Sequence, residues 1–505
     1  MDQEHARSAL NSINEDQQKL WETALKPWES GVLPRSDAMR AARSSLADYL
    51  PQTGTGFEET RKHLFNSIIP GLNANSISPN YYGFVTGGTT AAALLADNIV
   101  STYDQNVQVH LPDHSIATDV ESCALHMLLD LFHLDRKVWG NGTFTTGATG
   151  SNILGLACGR EFVVNAAAKK KGSQIGSVGE FGLADALRSA GVSRIQVLST
   201  MPHSSIGKAS GVVGIGRANL QNISSGGGQA LGIDMEKLEQ CLARSDTASI
   251  VAISCGEVNT GHFATGGIED FRKVRELCDK YGAWLHVDGA FGVFGRVLDD
   301  GPEFDRIKKG SEGIELADSI TGDGHKLLNV PYDCGFFFCR HKGLAEEVFT
   351  NPNAAYLSSG GDANSIPSPL NIGMENSRRF RALPVYATLM AYGRDGYRDM
   401  LERQIRLGRS IVDWIFDDPR YEALPAASSK QELLDNTFII VLVRAKDASL
   451  NKDLGKKINA TSKMFVSGTS WDGNPACRIA ISNWRVDVER DSKLVVDVLD
   501  TVAGN

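Results

Sequence analysis

Two short motifs hold residue types that do chemistry together. Asp288 lies in His286-Val287-Asp288-Gly289-Ala290, and Lys326 closes Asp323-Gly324-His325-Lys326. Each follows an apolar run that reads as a β-strand, and open α/β sheets bind their ligands beyond the strand ends. About one strand–helix–strand unit separates the motifs, so both can reach one crevice. A lysine amine condenses with an aldehyde, and a carboxylate beside a pyridine nitrogen keeps that nitrogen protonated. Pyridoxal 5'-phosphate (PLP) needs both groups to draw electrons from a substrate's α-carbon. An aspartate at a strand end is also a common turn or helix cap, and a lysine is ordinarily a solvated charge. Lys326, however, sits among Ile320, Leu327, Leu328 and Val330, where a surface lysine has little reason to be.

Two more pieces lie upstream. Phe144-Thr145-Thr146-Gly147-Ala148-Thr149-Gly150-Ser151-Asn152 is a glycine-rich turn opening a helical stretch over 153–161. Free N–H groups and the positive end of the helix dipole make such a turn a phosphate seat. The same residues also suit a plain strand-to-helix turn. Met201-Pro202-His203-Ser204-Ser205 again follows a strand. His203 there suits stacking on an aromatic ring and giving a proton, or the role of a satisfied core histidine.

The elements that must position these residues follow from apolar patterning. From about 90 to 345, short apolar runs alternate with helical stretches, which implies a mainly parallel sheet covered by helices. Strands are predicted at 142–146, 195–199, 249–255, 283–287, 319–321 and 335–339. Ile268, Phe271, Val274, Leu277 and Cys278 mark one face of a helix between two of them. Residues 1 to about 70 read as helices punctuated by Pro27, Pro34 and Pro51, an arm suited to capping a core or packing on a partner. After about 380 a helix holding Leu401, Ile405, Leu407, Ile411 and Trp414 leads to strand-like segments at 437–443 and 478–482. The expected division is an arm (1–75), a large domain (76–380) and a small α/β domain (381–505). The stretches 169–179 and 224–232 read as surface loops.

Composition narrows the partners. The chain has 505 residues, 42% hydrophobic and 22% charged, with a net charge of −9 spread along its length. No basic stripe argues for nucleic acid. The first residues lack the pattern of a signal peptide, and no apolar run is long enough to span a membrane. Eight cysteines without a Cys-x-x-Cys pair sit mostly in apolar runs. That usage suits buried thiols in a reducing compartment, so a cytoplasmic location is expected.

In this order the four pieces resemble the group II PLP-dependent decarboxylases, the family of aromatic-amino-acid, glutamate and diaminobutyrate decarboxylases. Pro79-Asn80-Tyr81-Tyr82-Gly83-Phe84-Val85, Asn329-Val330-Pro331-Tyr332-Asp333-Cys334-Gly335, Ser377-Arg378-Arg379-Phe380-Arg381 and Ser482-Asn483-Trp484-Arg485 extend the likeness over about 75 to 490. The resemblance implies an α/β fold of PLP-dependent transferase type I. Its parts are a large domain with a mainly parallel seven-stranded sheet, an N-terminal helical arm and a small C-terminal α/β domain. It implies that Lys326 carries PLP as a Schiff base and that Asp288 pairs with the pyridine nitrogen. Ala290 and His203 would flank the ring, with Gly147, Ala148 and Thr149 at the phosphate, His325 beside the Schiff base and Asp323 near the phosphate. Tyr356, in Asn351-Pro352-Asn353-Ala354-Ala355-Tyr356-Leu357, matches the family's catalytic loop and would protonate the α-carbon. Tyr82, Phe84 and Val85, with Tyr81, would line a pocket for an aromatic or bulky apolar side chain. A homodimer with active sites at the interface is implied, with an amino acid as the small-molecule substrate.

The sequence also departs from the family pattern. Leu327 stands where aromatic-acid decarboxylases usually have Trp, Gly324 replaces a Pro and Gly289 an Ala. Glu257 and Asn259 stand where well-known members have threonines. These changes bear on the substrate rather than on the cofactor chemistry, and no arginine stands out as a partner for a distal carboxylate. The expected reaction is decarboxylation of an L-amino acid to the amine. The alternatives are decarboxylation with oxidative deamination to an aldehyde, another PLP lyase or aminotransferase reaction, an inactive cofactor-binding scaffold, and a binding protein without PLP. The pairing of Tyr356 with His203 favours simple decarboxylation.

Overall fold

The alternating pattern builds two sheets in the computed structural model, which describes residues 3–25, 31–173, 177–225, 231–351 and 366–504. In chain order the strands are β1 (Tyr81–Tyr82), β2 (Asn141–Thr145), β3 (Arg194–Ser199), β4 (Leu220–Asn222), β5 (Thr247–Ser254) and β6 (Trp284–Asp288). They continue with β7 (Ser319–Asp323), β8 (Gly335–Cys339), β9 (Tyr421–Leu424), β10 (Ile440–Ala445), β11 (Phe465–Trp471) and β12 (Asn474–Ala480). Seven of them form the larger sheet in the order β2-β8-β7-β6-β5-β3-β4. The pairs from β7 through β4 are parallel, while β8 runs antiparallel to both neighbours. This is the expected mainly parallel seven-stranded α/β sheet.

Strands β5 to β8 are buried at every position. Both of their faces are covered, so they read as unbroken apolar runs rather than alternations. The helix Ala148–Lys170 packs across β5, β6, β7 and β8. Two of its glycines allow the approach. A Cβ on Gly155 would stand 2.5 Å from His286 Cε1, and one on Gly159 would stand 2.8 Å from Trp284 Cδ1.

The second sheet has the order β1-β11-β12-β10-β9, antiparallel except where β1 pairs with β11. The segments expected at 437–443 and 478–482 appear here as β10 and β12. Thr437 is instead spent on the C-terminal cap of the helix Lys430–Asn436. The hairpin joining β11 to β12 turns at Asp472 and Gly473, with φ of 51° and 76°. Asp-Gly is the residue pair that a tight hairpin turn favours. β1 comes from far upstream, with Tyr81 opposite Phe465 and Tyr82 opposite Val466. One apolar core joins Val287, Ile320 and Phe336 of the larger sheet to Phe438 and Ile440, and the second sheet has a further core of its own around Tyr82, Val441 and Val466.

The N-terminal arm consists of the helices Gln3–Leu25, Ser36–Ser44 and Phe57–His63. An Arg61–Asp16 ion pair ties the third to the first. Among the described residues no helix is long and apolar enough to cross a membrane.

Candidate active site

Because β6 and β7 are adjacent and parallel, with Asp288 opposite Thr321, the two motifs beyond their ends meet. They open onto a cavity of about 250 Å³. Its wall includes Phe84, Val85, Gly147, Ala148, Thr149, His203, Asp288, Ala290, Asp323, His325 and Lys326. Tyr82 is a correction. It lies outside this wall, fully buried in the core of the second sheet, where Asn80 Nδ2 donates to its hydroxyl at 3.1 Å. Pairing of β1 with β11 draws it there, while the next turn brings Phe84 and Val85 to the cavity. Both have left-handed backbone, with φ of 60° and 63°. Tyr356 lies outside the described residues.

On the β7 side, Lys326 Nζ stands 2.9 Å from Asp323 Oδ2. It also lies 5.7 Å from the centre of the Phe291 ring. The other oxygen of Asp323 accepts the Ala148 N–H at 2.5 Å. That bond revises one expectation. Ala148 lines the cavity, but its N–H already serves a carboxylate, so a phosphate seat on this helix falls to the remaining N–H groups of the first turn, at Thr149 and Gly150. His325 packs against the tilted ring of Tyr332, 4.4 Å between ring centres, and accepts the Cys334 N–H at Nδ1, 3.3 Å. Burial holds the His325 imidazole below its ordinary pKa; nearby Asp323 opposes this and Lys326 adds to it. A Cβ on Gly87 would lie 2.0 Å from the Lys326 carbonyl oxygen, so only glycine lets the segment after β1 pass the lysine. Asn329 binds the two together, accepting the Gly88 N–H at Oδ1 (2.7 Å) and the Thr90 N–H at its carbonyl (3.0 Å).

On the β6 side the groups are uncharged apart from Asp288 itself. Asn152 Nδ2 donates to Asp288 Oδ2 at 2.9 Å and to Ser205 Oγ at 3.0 Å. The Ala290 N–H reaches Asp288 Oδ1 at 3.3 Å. Ser205 also meets His203 Nδ1, with its hydroxyl at 2.7 Å and its N–H at 3.2 Å. Burial lowers the pKa of His203, against the pull of Asp288 and with a push from Lys326.

The pyridoxal-dependent decarboxylase conserved domain matches residues 42–434, well over half of the chain. The chain belongs to the pyridoxal-dependent decarboxylase family. It is similar to an L-2,4-diaminobutyrate decarboxylase of Acinetobacter baumannii, 26% identical over 71% of this chain and 68% of the relative. It is also similar to tyrosine decarboxylase 2 of Arabidopsis thaliana, 24% identical over 87% of this chain and 76% of that one. Among solved structures, TDC of Oryza sativa with PLP and tryptamine superposes with a TM-score of 0.80, covering 99% and 98% of the two chains at 21% identity. The shared fold is that of the PLP decarboxylases.

The decarboxylase therefore uses PLP, and its residues fit that cofactor. One wall offers an amine, that of Lys326, held by Asp323 and near the Phe291 ring. The opposite wall offers a carboxylate whose contacts are all neutral donors, with acceptor capacity to spare. N–H groups of a helix N-terminus complete the set. Sequence reading missed Arg478, which β12 buries within electrostatic reach of His203 and Glu257. Among the described residues its Nε and Nη2 have no hydrogen-bond partner. Its position in a buried strand was the available signal, because an arginine there needs a counter-group. Glu257 spends its oxygens locally, accepting from Asn259 Nδ2 and from the N–H and hydroxyl of Thr260.

Proposed function

We propose that the decarboxylase converts an L-amino acid with an aromatic or bulky apolar side chain to its amine and carbon dioxide. The observation that carries this reading is the meeting of Lys326, Asp288, His203, Asp323 and His325 with Phe84, Val85 and Phe291 around one cavity. Bound PLP supplies the electron sink for the α-carbon. Lys326 supplies the amine for covalent attachment, and Asp323 holds that amine at the cavity wall. Asp288 would accept a hydrogen bond from the protonated ring nitrogen and keep that proton on the nitrogen. Thr149 and Gly150 take the phosphate, while Ala290 and His203 flank the ring. Phe84, Val85 and Phe291 give the side chain an apolar wall and keep water from the α-carbon. Tyr356 or His203 delivers the proton that replaces carbon dioxide.

A homodimer in the cytoplasm is part of the same proposal. Phe84, at the cavity, and Tyr332, against the His325 ring, are 66% and 52% exposed. Leu95, Ile99 and Tyr103 form an exposed apolar stripe at four-residue spacing along the helix Ala91–Tyr103. A second copy covering this face would bury them. Tyr103→Glu should halve the sedimenting mass; an unchanged mass rejects that surface.

The deciding experiment is an amino-acid panel, acidic substrates included because of Arg478, scored together for carbon dioxide, amine and hydrogen peroxide. Amine from aromatic substrates without peroxide is expected. Aldehyde with peroxide would replace this reading by oxidative deamination on the same site.

A further inference from the structure

Asp288 is not held by the backbone of its own strand end alone. Trp284, His286 and Asp288 share one face of β6 by the two-residue period of a strand, and Ser319 lies opposite His286 on β7. The helix Ala148–Lys170 covers that face with Asn152, Gly155 and Gly159. Trp284 Nε1 donates to Ser319 Oγ at 3.1 Å. Ser319 Oγ meets His286 Nδ1 at 2.8 Å, and His286 Nε2 meets Asn152 Oδ1 at 2.8 Å. Trp284, His286, Asn152 and Ser319 are all fully buried.

The direction of every bond in this chain is fixed by its ends. An indole N–H only donates, so Ser319 accepts from Trp284 and gives its one proton to His286 Nδ1. The His286 proton then sits on Nε2 and points at Asn152 Oδ1. That orients the Asn152 amide with its NH₂ towards Asp288 and Ser205. His203 Nδ1 accepts the Ser205 backbone N–H at 3.2 Å and meets its hydroxyl at 2.7 Å, so the His203 proton sits on Nε2 by this local cap and not through Asn152.

We propose that Asn152, oriented by the buried chain Trp284–Ser319–His286, is a positioning residue that sets the hydrogen bonding of Asp288. This rests on the reading of Asp288 and His203 as the groups that face the cofactor. The chain is proton-ordered and uncharged, because burial pushes the His286 imidazole down to about 4. An uncharged support can orient a carboxylate without neutralising it, which an arginine or lysine in the place of Asn152 could not do.

The test uses full-length holoenzyme labelled with ¹⁵N-histidine, with long-range ¹H–¹⁵N spectra to report imidazole tautomers. Single Nε2–H forms are expected for His286 and His203, with His286 not titrating between pH 5 and 8. Asn152→Leu should lower kcat roughly 10- to 100-fold, the cost of losing a hydrogen bond to a charged group, with KM moved far less. It should also give His286 a mixture of tautomers and move the pH at which the bound-cofactor absorbance titrates. Ser319→Ala, remote from the cavity, should mix the tautomers of His286 even where Asn152→Leu does not fold. A His286 tautomer unchanged in both variants would overturn the proposal. A wild type lacking a cofactor band would instead overturn the reading of the site, and the two failures are separately visible.

Discussion

The two carboxylates of the cavity sit at the ends of neighbouring parallel strands, yet they are held in opposite ways. Asp323, at the end of β7, spends both oxygens on close partners: the Lys326 ammonium at 2.9 Å and the Ala148 N–H at 2.5 Å. Asp288, at the end of β6, touches only neutral donors from Asn152 and Ala290. The first arrangement fixes a lysine and leaves the carboxylate little to offer a ligand. The second fixes a carboxylate and leaves its charge available. Position at a strand end therefore does not set the task of an acid; the charge state of its neighbours does.

Substitutions rank the two sides. Lys326→Ala should remove turnover and the cofactor's absorbance band completely, and a borohydride-reduced adduct on any other lysine would reassign the site. Asp288→Asn should keep cofactor yet lower kcat about a hundred- to a thousandfold, on the scale seen when a preorganised electrostatic group is lost. Half of the wild-type rate in that variant would make Asp288 a structural cap. Asp323→Asn should cost less, roughly tenfold, because the amide still reaches Ala148 and Lys326 loses only its partner. If Asp323→Asn proved the more damaging of the two, the comparison would be inverted.

The neutral side also predicts a pH dependence of stability. The His286 pKa falls from about 6.5 unfolded to about 4 folded, through burial. Below pH 6.5 the unfolded chain takes up a proton that the folded chain refuses, so stability declines as pH falls from about 6.5 to about 4. Between pH 7 and pH 5 this one group removes about 2 kcal/mol. Denaturant midpoints of wild type and His286→Asn, measured at both pH values, check this: the variant should lose less on acidification. An equal loss in both proteins would mean that His286 accepts a proton in place.

Much of this site was legible before any coordinates. β5 to β8 lie under helices on both faces, so each appears in the sequence as an apolar run with its motif at the end, and the order of motifs placed Asp288 and Lys326 in one crevice. The Asp472-Gly473 hairpin carried a readable turn signal that the strand search passed over. β1 carried none. Two residues have no periodicity, and only pairing with β11 makes Tyr81–Tyr82 a strand. That pairing sends Tyr82 into the second core and Phe84 to the cavity, a division that a shared aromatic motif conceals.

By itself, then, the sequence determined which side chains carry the chemistry and which runs become strands, because residue type and local period are properties of neighbouring positions. The tertiary structure alone decided how those side chains are held. Asn152 reaches Asp288 across 136 positions and His286 across 134. His286 meets Ser319 only because β6 and β7 pair in that register. The helix lies close enough for these bonds only where Gly155 and Gly159 leave no Cβ in the way. Hydrogen-bond direction, and with it the proton's place on an imidazole, depends on partners distant in the chain, and no local pattern encodes it.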